Sequence, residues 1–191
     1  MPRPFACLRI GFEKAAPWCR VVGGCFVLGE RPEGRQPQEA TMTMQTENTR
    51  AETEIGALLD DWAQARRTKD PDRVLSHFTD DEVQFLMAPP LQYSGDNAWG
   101  KDALKAWFAT FEGPMGFEIA ELRITAGADT AFCHFLSKMS AVAVQGGPFS
   151  VWNRVTLGLR RTGGRWLIAH VHESVPFYMD GSFGAAIDLE P

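Results

Sequence analysis

The chain has 191 residues, 45% of them hydrophobic and 23% charged, with a formal charge of -5, a balance that suits one domain with a real core and excludes a disordered or collagen-like chain. The charge is uneven, +2 over residues 1–44 and -7 over residues 45–191, so the main body is a poor nucleic-acid binder, because that affinity comes largely from neutralising phosphates. No apolar run approaches the ~18 residues that a membrane span needs.

Residues 1–46 scatter Pro, Arg and Gly with no sustained period of 3.6 or 2, and are expected to be a disordered extension. The short apolar run from Val21 to Leu28 abuts Arg20, and Glu13 and Pro17 interrupt what precedes it, which is not the layout of an export signal. Met42 and Met44 stand just before the first helical pattern, and a native start at either would leave the upstream residues outside the protein. Cys7, Cys19 and Cys25 all fall in this segment, so the patterned part holds one cysteine, Cys133. A single thiol closes no intrachain disulfide, which fits a reducing cytoplasm. The domain is expected over residues 47–180, with a flexible tail over 181–191.

Thr49-Arg50-Ala51-Glu52 reads as a capping box opening a helix to Thr68, on which Ile55, Leu58, Leu59, Trp62 and Ala65 recur at helical spacing. Asp70-Pro71 starts a second, short helix carrying Val74, Leu75 and Phe78, expected to stop at Thr79-Asp80-Asp81-Glu82. Val83 to Met87 reads as the first strand and Leu91 to Gly95 as a second extended piece. Gly100-Lys101-Asp102 leads a third helix with an apolar face of Ala103, Leu104, Trp107, Phe108 and Phe111, closed by Gly113-Pro114.

The period then changes to two. Residues 117–126, 130–144, 149–161 and 165–175 read as four long strands with short glycine-containing links, hence an antiparallel meander. Apolar parity slips near Ala120-Glu121, which predicts a bulge and a curved sheet. On the last strand, alternation puts Leu167, Ala169, Val171 and Glu173 on one face and Trp166, Ile168, His170, His172 and Ser174 on the other. The first set matches Val151, Asn153, Val155 and Leu157, and Cys133, Phe135, Ser137 and Met139, so these are expected to face inward. Helices followed by a curved meander make an α+β cone.

This order resembles the nuclear transport factor 2-like superfamily, with its ketosteroid isomerase and SnoaL-like members. The resemblance rests on Asp60-Asp61-Trp62, Lys69-Asp70-Pro71-Asp72, His77-Phe78-Thr79-Asp80-Asp81, Tyr93-Ser94-Gly95, Ala103-Leu104, Phe108 and the run Arg165 to Ser174. The last run is also similar to the end of the calmodulin-dependent kinase II association domain. The resemblance implies a cone-shaped subunit that holds a small molecule in its mouth and pairs sheet to sheet with a second copy. Carried over by position, the isomerase tyrosine falls on Trp62, its base on Leu86 and its protonated aspartate on Leu157. Leucine accepts no proton, so steroid isomerisation by those groups is not expected.

The polar groups left on the expected inner face are Ser137, Asn153 and Glu173, and Trp62, Phe85, Tyr93, Trp99 and Phe108 complete an apolar cavity with sparse anchors. Glu173 is read either as a general base or ligand anchor, or as a solvated charge at a strand end. His134, His170 and His172 share the outer face with Trp152, Arg154 and Thr156. Three histidines can hold zinc, but that face offers no Asp, Glu or Cys to complete the set, so no metal is expected there and the face reads as a homodimer interface. His77, beside Asp80 and Asp81, reads as a surface cap or a proton shuttle. The expected function is a cofactor-free isomerase, cyclase or hydratase acting on a small hydrophobic or polyketide-like molecule, in a cytoplasmic homodimer with neither nucleic-acid nor membrane partners. The alternative is a ligand-binding or assembly module without chemistry.

Overall fold

A computed structural model of the protein describes residues 19–22, 25–28 and 37–191, which fall in two compact units, 1–42 and 43–191. In the first, β1 (Cys19–Val22) and β2 (Cys25–Leu28) pair antiparallel, with Cys19 opposite Leu28. The remaining residues before Pro37, read from the sequence as part of an extension, lie outside the described residues.

Helix α1 (Pro37–Arg67) runs straight through the expected capping box. Thr49 is therefore no N-cap. Its hydroxyl donates back to Gln45 O at 3.0 Å, as Thr53 does to Thr49 O at 2.9 Å. A threonine satisfied in this way within the helix does not compete with it. The apolar stripe buries Ile55, Leu59 and Ala65 completely and leaves Trp62 at 1% exposure.

Helix α2 (Pro71–Leu75) has the expected start: Asp70 accepts from Arg73 N at 3.0 Å, and Pro71 needs no amide partner. Its end differs from expectation. Phe78 and Thr79-Asp80-Asp81-Glu82 belong to strand β3 (Phe78–Phe85), which pairs in parallel with the last strand, Phe78 opposite Ile168 and Val83 opposite His170. Between these pairs β3 is irregular, and the exposed Asp80 and Asp81 that look like a helix stop lie on that bulged stretch. A ladder supplied from 90 residues away overrides the local signal.

Strand β4 (Tyr93–Ser94) adds to the edge of β3, and helix α3 (Lys101–Phe108) follows. Phe111, expected on the apolar face of that helix, and Gly113-Pro114, expected to close it, instead open β5 (Phe111–Ala126), where a register break between Glu112 and Gly116 accommodates the proline. Strands β6 (Thr130–Ala143), β7 (Gly147–Thr162) and β8 (Arg165–Ser174) complete the sheet in the order β4-β3-β8-β7-β6-β5. The four long strands form the antiparallel meander, and β3, parallel to β8, makes the whole sheet mixed rather than purely antiparallel. The bulge expected near Ala120-Glu121 is present: the register breaks between Ala120 and Arg123, and Glu121 has a φ of 56°.

A second bulge corrects the face assignment of β8. Gly158 stands opposite His170 and Leu159 opposite Ile168, which leaves Ala169 as an extra residue. One extra residue inverts parity. Before it, Trp166 and Ile168 face inward at 4% and 0% exposure, in place of Leu167 and Ala169. Beyond it, Val171 and Glu173 face inward as expected. The inner face packs Cys133, Phe135, Val155, Leu157 and Leu159 against Ile55, Leu59 and Trp62 of α1 in one core. Two basic side chains at the C-terminus of α1 fasten it to β5: Arg67 Nε donates to Phe117 O at 2.8 Å, and Lys69 Nζ donates to Phe111 O at 2.7 Å. After β8 the chain turns back, with Phe177 bridged to Ala185 and Ala186 only 2% exposed.

Candidate functional site

A cavity of about 240 Å³ opens between the inner face of the sheet and the helices. Its wall is mostly apolar: Trp62 from α1, Val74 and Leu75 from α2, Leu104, Trp107 and Phe108 from α3, Phe78 and Leu86 from β3 and the residues beyond it, with Trp99, Met139 and Val171. Three polar side chains interrupt it, Arg66, Gln84 and Glu173.

Arg66 and Glu173 form a pair, Nη1 to Oε1 at 3.5 Å, with side chains only 15% and 9% exposed. The guanidinium is caged by aromatic rings, its central carbon 4.5 Å from the Phe117 centroid, 4.9 Å from Trp62 and 5.7 Å from Trp107. Burial pulls the arginine pKa down, and the neighbouring Glu173 charge pulls it back up. An arginine still keeps its proton, so a fixed positive charge stands beside a carboxylate in low-dielectric surroundings. Arg66 Nε and Trp62 Nε1 are buried without a hydrogen-bond partner, and the guanidinium meets Glu173 through Nη1. At 3.5 Å the contact is longer than a tight charge-assisted hydrogen bond.

Of the residues singled out in the sequence, the structure brings Trp62, Trp99, Phe108 and Glu173 together around the cavity. It does not bring the others. Ser137 and Asn153 face inward but are sealed in the core at 1% and 4% exposure, and the serine hydroxyl donates to the asparagine side-chain oxygen. Tyr93 packs edge-on against Trp99 and donates to Pro89 O at 2.6 Å, away from the cavity wall. Phe85 is on the opposite face of the sheet, edge-on to His170 and His172 at 5.0 and 5.9 Å. Because β3 begins at Phe78 and pairs Gln84 with Val171, the inward positions are Gln84 and Leu86. Arg66 and Gln84 were missed. The signals for both were present: Arg66 lies one turn after Trp62 on the same helix face, and Gln84 alternates with Leu86.

His134, Arg154 and His172 are exposed on the outer face, Trp152 and His170 are half-buried there, and Lys138 reaches over the Trp152 ring at 5.5 Å. His77 is not at the surface. It is 7% exposed, with Nε2 2.9 Å from Asp61 Oδ2 and Nδ1 2.6 Å from Arg73 O. Arg73 also binds Asp61, so the three side chains tie α2 to α1. Among the described residues, no three His, Cys, Asp or Glu side chains are grouped to hold a metal ion. Among the same residues, no helix is long and apolar enough to cross a membrane.

A mixed, curved sheet covered on one face by helices and enclosing an apolar cavity defines the NTF2-like class of α+β proteins. Within it, the chain belongs to the SnoaL-like domain family, whose description matches residues 55–178. It is similar to an NTF2-like protein of unknown function from Pseudomonas putida KT2440, at 34% identity over 75% of this chain and 98% of that one, with a TM-score of 0.66. It shares the fold of a Novosphingobium aromaticivorans protein provisionally named a scytalone dehydratase, at 14% identity over 77% and 100% of the two chains and a TM-score of 0.63. It also shares the fold of a Xanthomonas campestris protein provisionally named a calcium/calmodulin-dependent protein kinase II association domain, at 21% identity over 63% and 84% and a TM-score of 0.52. No protein of curated function matches the sequence.

Proposed function

We propose that the protein is a cofactor-free enzyme of the isomerase, cyclase or hydratase type, acting on a small apolar carbonyl compound. The observation that carries this is the Arg66–Glu173 pair on the wall of an otherwise apolar cavity. A carboxylate there takes a proton from carbon next to a carbonyl, and the electron pair moves onto the carbonyl oxygen. The arginine cation beside it stabilises the negative charge that develops. Return of the proton to another carbon gives an isomer, and its delivery from Glu173 to a leaving β-hydroxyl expels water and gives a dehydration. The dehydratase name of the structural relative from Novosphingobium agrees with this class of step.

The test is deuterium exchange into a panel of one- and two-ring ketones in heavy water, followed by proton NMR. Wild-type protein should accelerate exchange at the carbon next to the carbonyl of at least one of them, and Glu173→Gln should lower that rate by roughly 10²- to 10⁴-fold. Exchange unchanged in the variant sinks the assignment of Glu173 as base.

The outer face supports a second element of the reading, a homodimer built sheet to sheet. Phe85, Trp152 and the three histidines put aromatic and polar groups there, and Arg154 is exposed among them, a composition typical of protein interfaces. A non-catalytic assembly role is the alternative, and the name of the Xanthomonas relative agrees with it. The unpaired, buried Cys133 is in keeping with a cytoplasmic protein.

A further inference from the structure

We infer that Gln84 is a specificity-determining residue that accepts a hydrogen bond from a hydroxyl group of the ligand, and that Glu82 is the positioning residue that turns its amide for that task. The inference rests on the cavity being the ligand site. Glu82 and Gln84 are buried at 7% and 6% exposure, and Gln84 forms part of the cavity wall. Gln84 Nε2 lies 3.5 Å from Glu82 Oε1. A carboxylate offers only acceptor lone pairs, so it draws the amide NH₂ toward itself and turns the amide oxygen the other way. The cavity is therefore presented with one fixed donor, the Arg66 guanidinium, and two acceptors, the Glu173 carboxylate and the Gln84 oxygen. A second acceptor is matched by a ligand that brings a second donor.

The rest of the wall sets the body of that ligand. The cavity of about 240 Å³ is smaller than the ~300 Å³ at the lower end for drug-sized ligands, which suits one or two rings. Trp62, Trp99 and Trp107 favour a flat aromatic face. Together with the carbonyl that the Glu173 step needs, the ligand class is thus a hydroxylated one- or two-ring carbonyl compound with a flat aromatic face. Its methyl ether fills the same space but cannot donate, and would leave the buried amide oxygen unsatisfied.

The test is calorimetric titration of the full chain with 2-naphthol and with 2-methoxynaphthalene. Wild-type protein should bind the naphthol at least about tenfold more tightly, the worth of one hydrogen bond to a buried acceptor. Gln84→Leu should bring the two affinities within about threefold of each other. Glu82→Gln should do the same, because a glutamine at 82 both donates and accepts and no longer fixes the neighbouring amide. Equal affinities in the wild type overturn the inference, and so does a preference that survives Gln84→Leu, which would show that Glu173 reads the hydroxyl. A preference lost in Gln84→Leu but kept in Glu82→Gln overturns the role of Glu82. Failure of the wild type to bind either probe counts instead against the cavity as the ligand site, and the inference falls with it.

Discussion

Arg66 is held by three rings and one carboxylate, and each partner does a different job. The rings surround the guanidinium within 4.5 to 5.7 Å of its central carbon, and Glu173 supplies the compensating charge. Removing one member of a buried pair strands the other, at a cost of about 3–5 kcal/mol. Arg66→Met should therefore lower the unfolding free energy by about 3 kcal/mol in urea titrations, and the double variant Arg66→Met/Glu173→Leu should recover much of that loss. A single variant as stable as the wild type would mean that Glu173 finds water and that the pair is not truly buried. Cys133 makes a second point at this scale. Burial among the inner-face side chains pushes its thiol pKa up to about 12, so little thiolate exists near neutrality. Alkylation at pH 8, resolved by peptide mass spectrometry, should leave Cys133 unmodified in folded protein and modify it readily in urea.

The elements are joined by polar contacts as well as by the core. Asp61 on α1 binds Arg73 on α2 and His77 just beyond it, with the Arg73 guanidinium the largest influence that holds the Asp61 carboxyl below the usual carboxylate range. A carboxylate whose pKa is depressed by folding contributes stability above its ordinary pKa of ~3.9, and loses it as the pH falls through the lowered value. Asp61 is 44% exposed, so solvent screens much of the contribution. Urea midpoints should show Asp61→Asn less stable than wild type at pH 7, with the gap narrowing by pH 3. A gap that stays constant with pH would mean that shape rather than charge ties α2 down. His77 belongs to this joint. Its adjacency in sequence to Asp80 and Asp81 suggested a surface role, but the chain turns into β3 at Phe78 and carries those acids away from it.

For the whole molecule, the decisive division is between the two faces of one sheet. The inner face carries the core and the cavity; the outer face carries Phe85, His134, Trp152, Arg154, His170 and His172. A second copy packed there would need to cover roughly 800 Å² on each partner to be stable. Sedimentation at micromolar concentration should find two copies for the wild type, and Arg154→Glu should shift the protein to monomer while sparing the cavity. A wild-type monomer would remove the interface reading and leave the cavity reading untouched.

The sequence by itself determined the helix stripe of Ile55, Leu59 and Trp62, the Asp70-Pro71 start, the four-strand meander and the bulge near Glu121, since all of these depend on neighbours within a turn or a hairpin, and the order of these elements carried the family resemblance. It also brought Trp62, Trp99, Phe108 and Glu173 forward as cavity residues. Only the tertiary structure decided that β3 runs parallel to β8, that Ala169 is an extra residue that reverses the strand's faces, and that Phe85 lies outside while Gln84 lies inside. It alone showed that Thr49 sits within a longer helix, and that Arg66 meets Glu173 across more than a hundred residues of chain. The reason is physical: a side chain's face is set by pairing register, register is set by partners distant in sequence, and one unpaired residue anywhere along a ladder inverts everything beyond it.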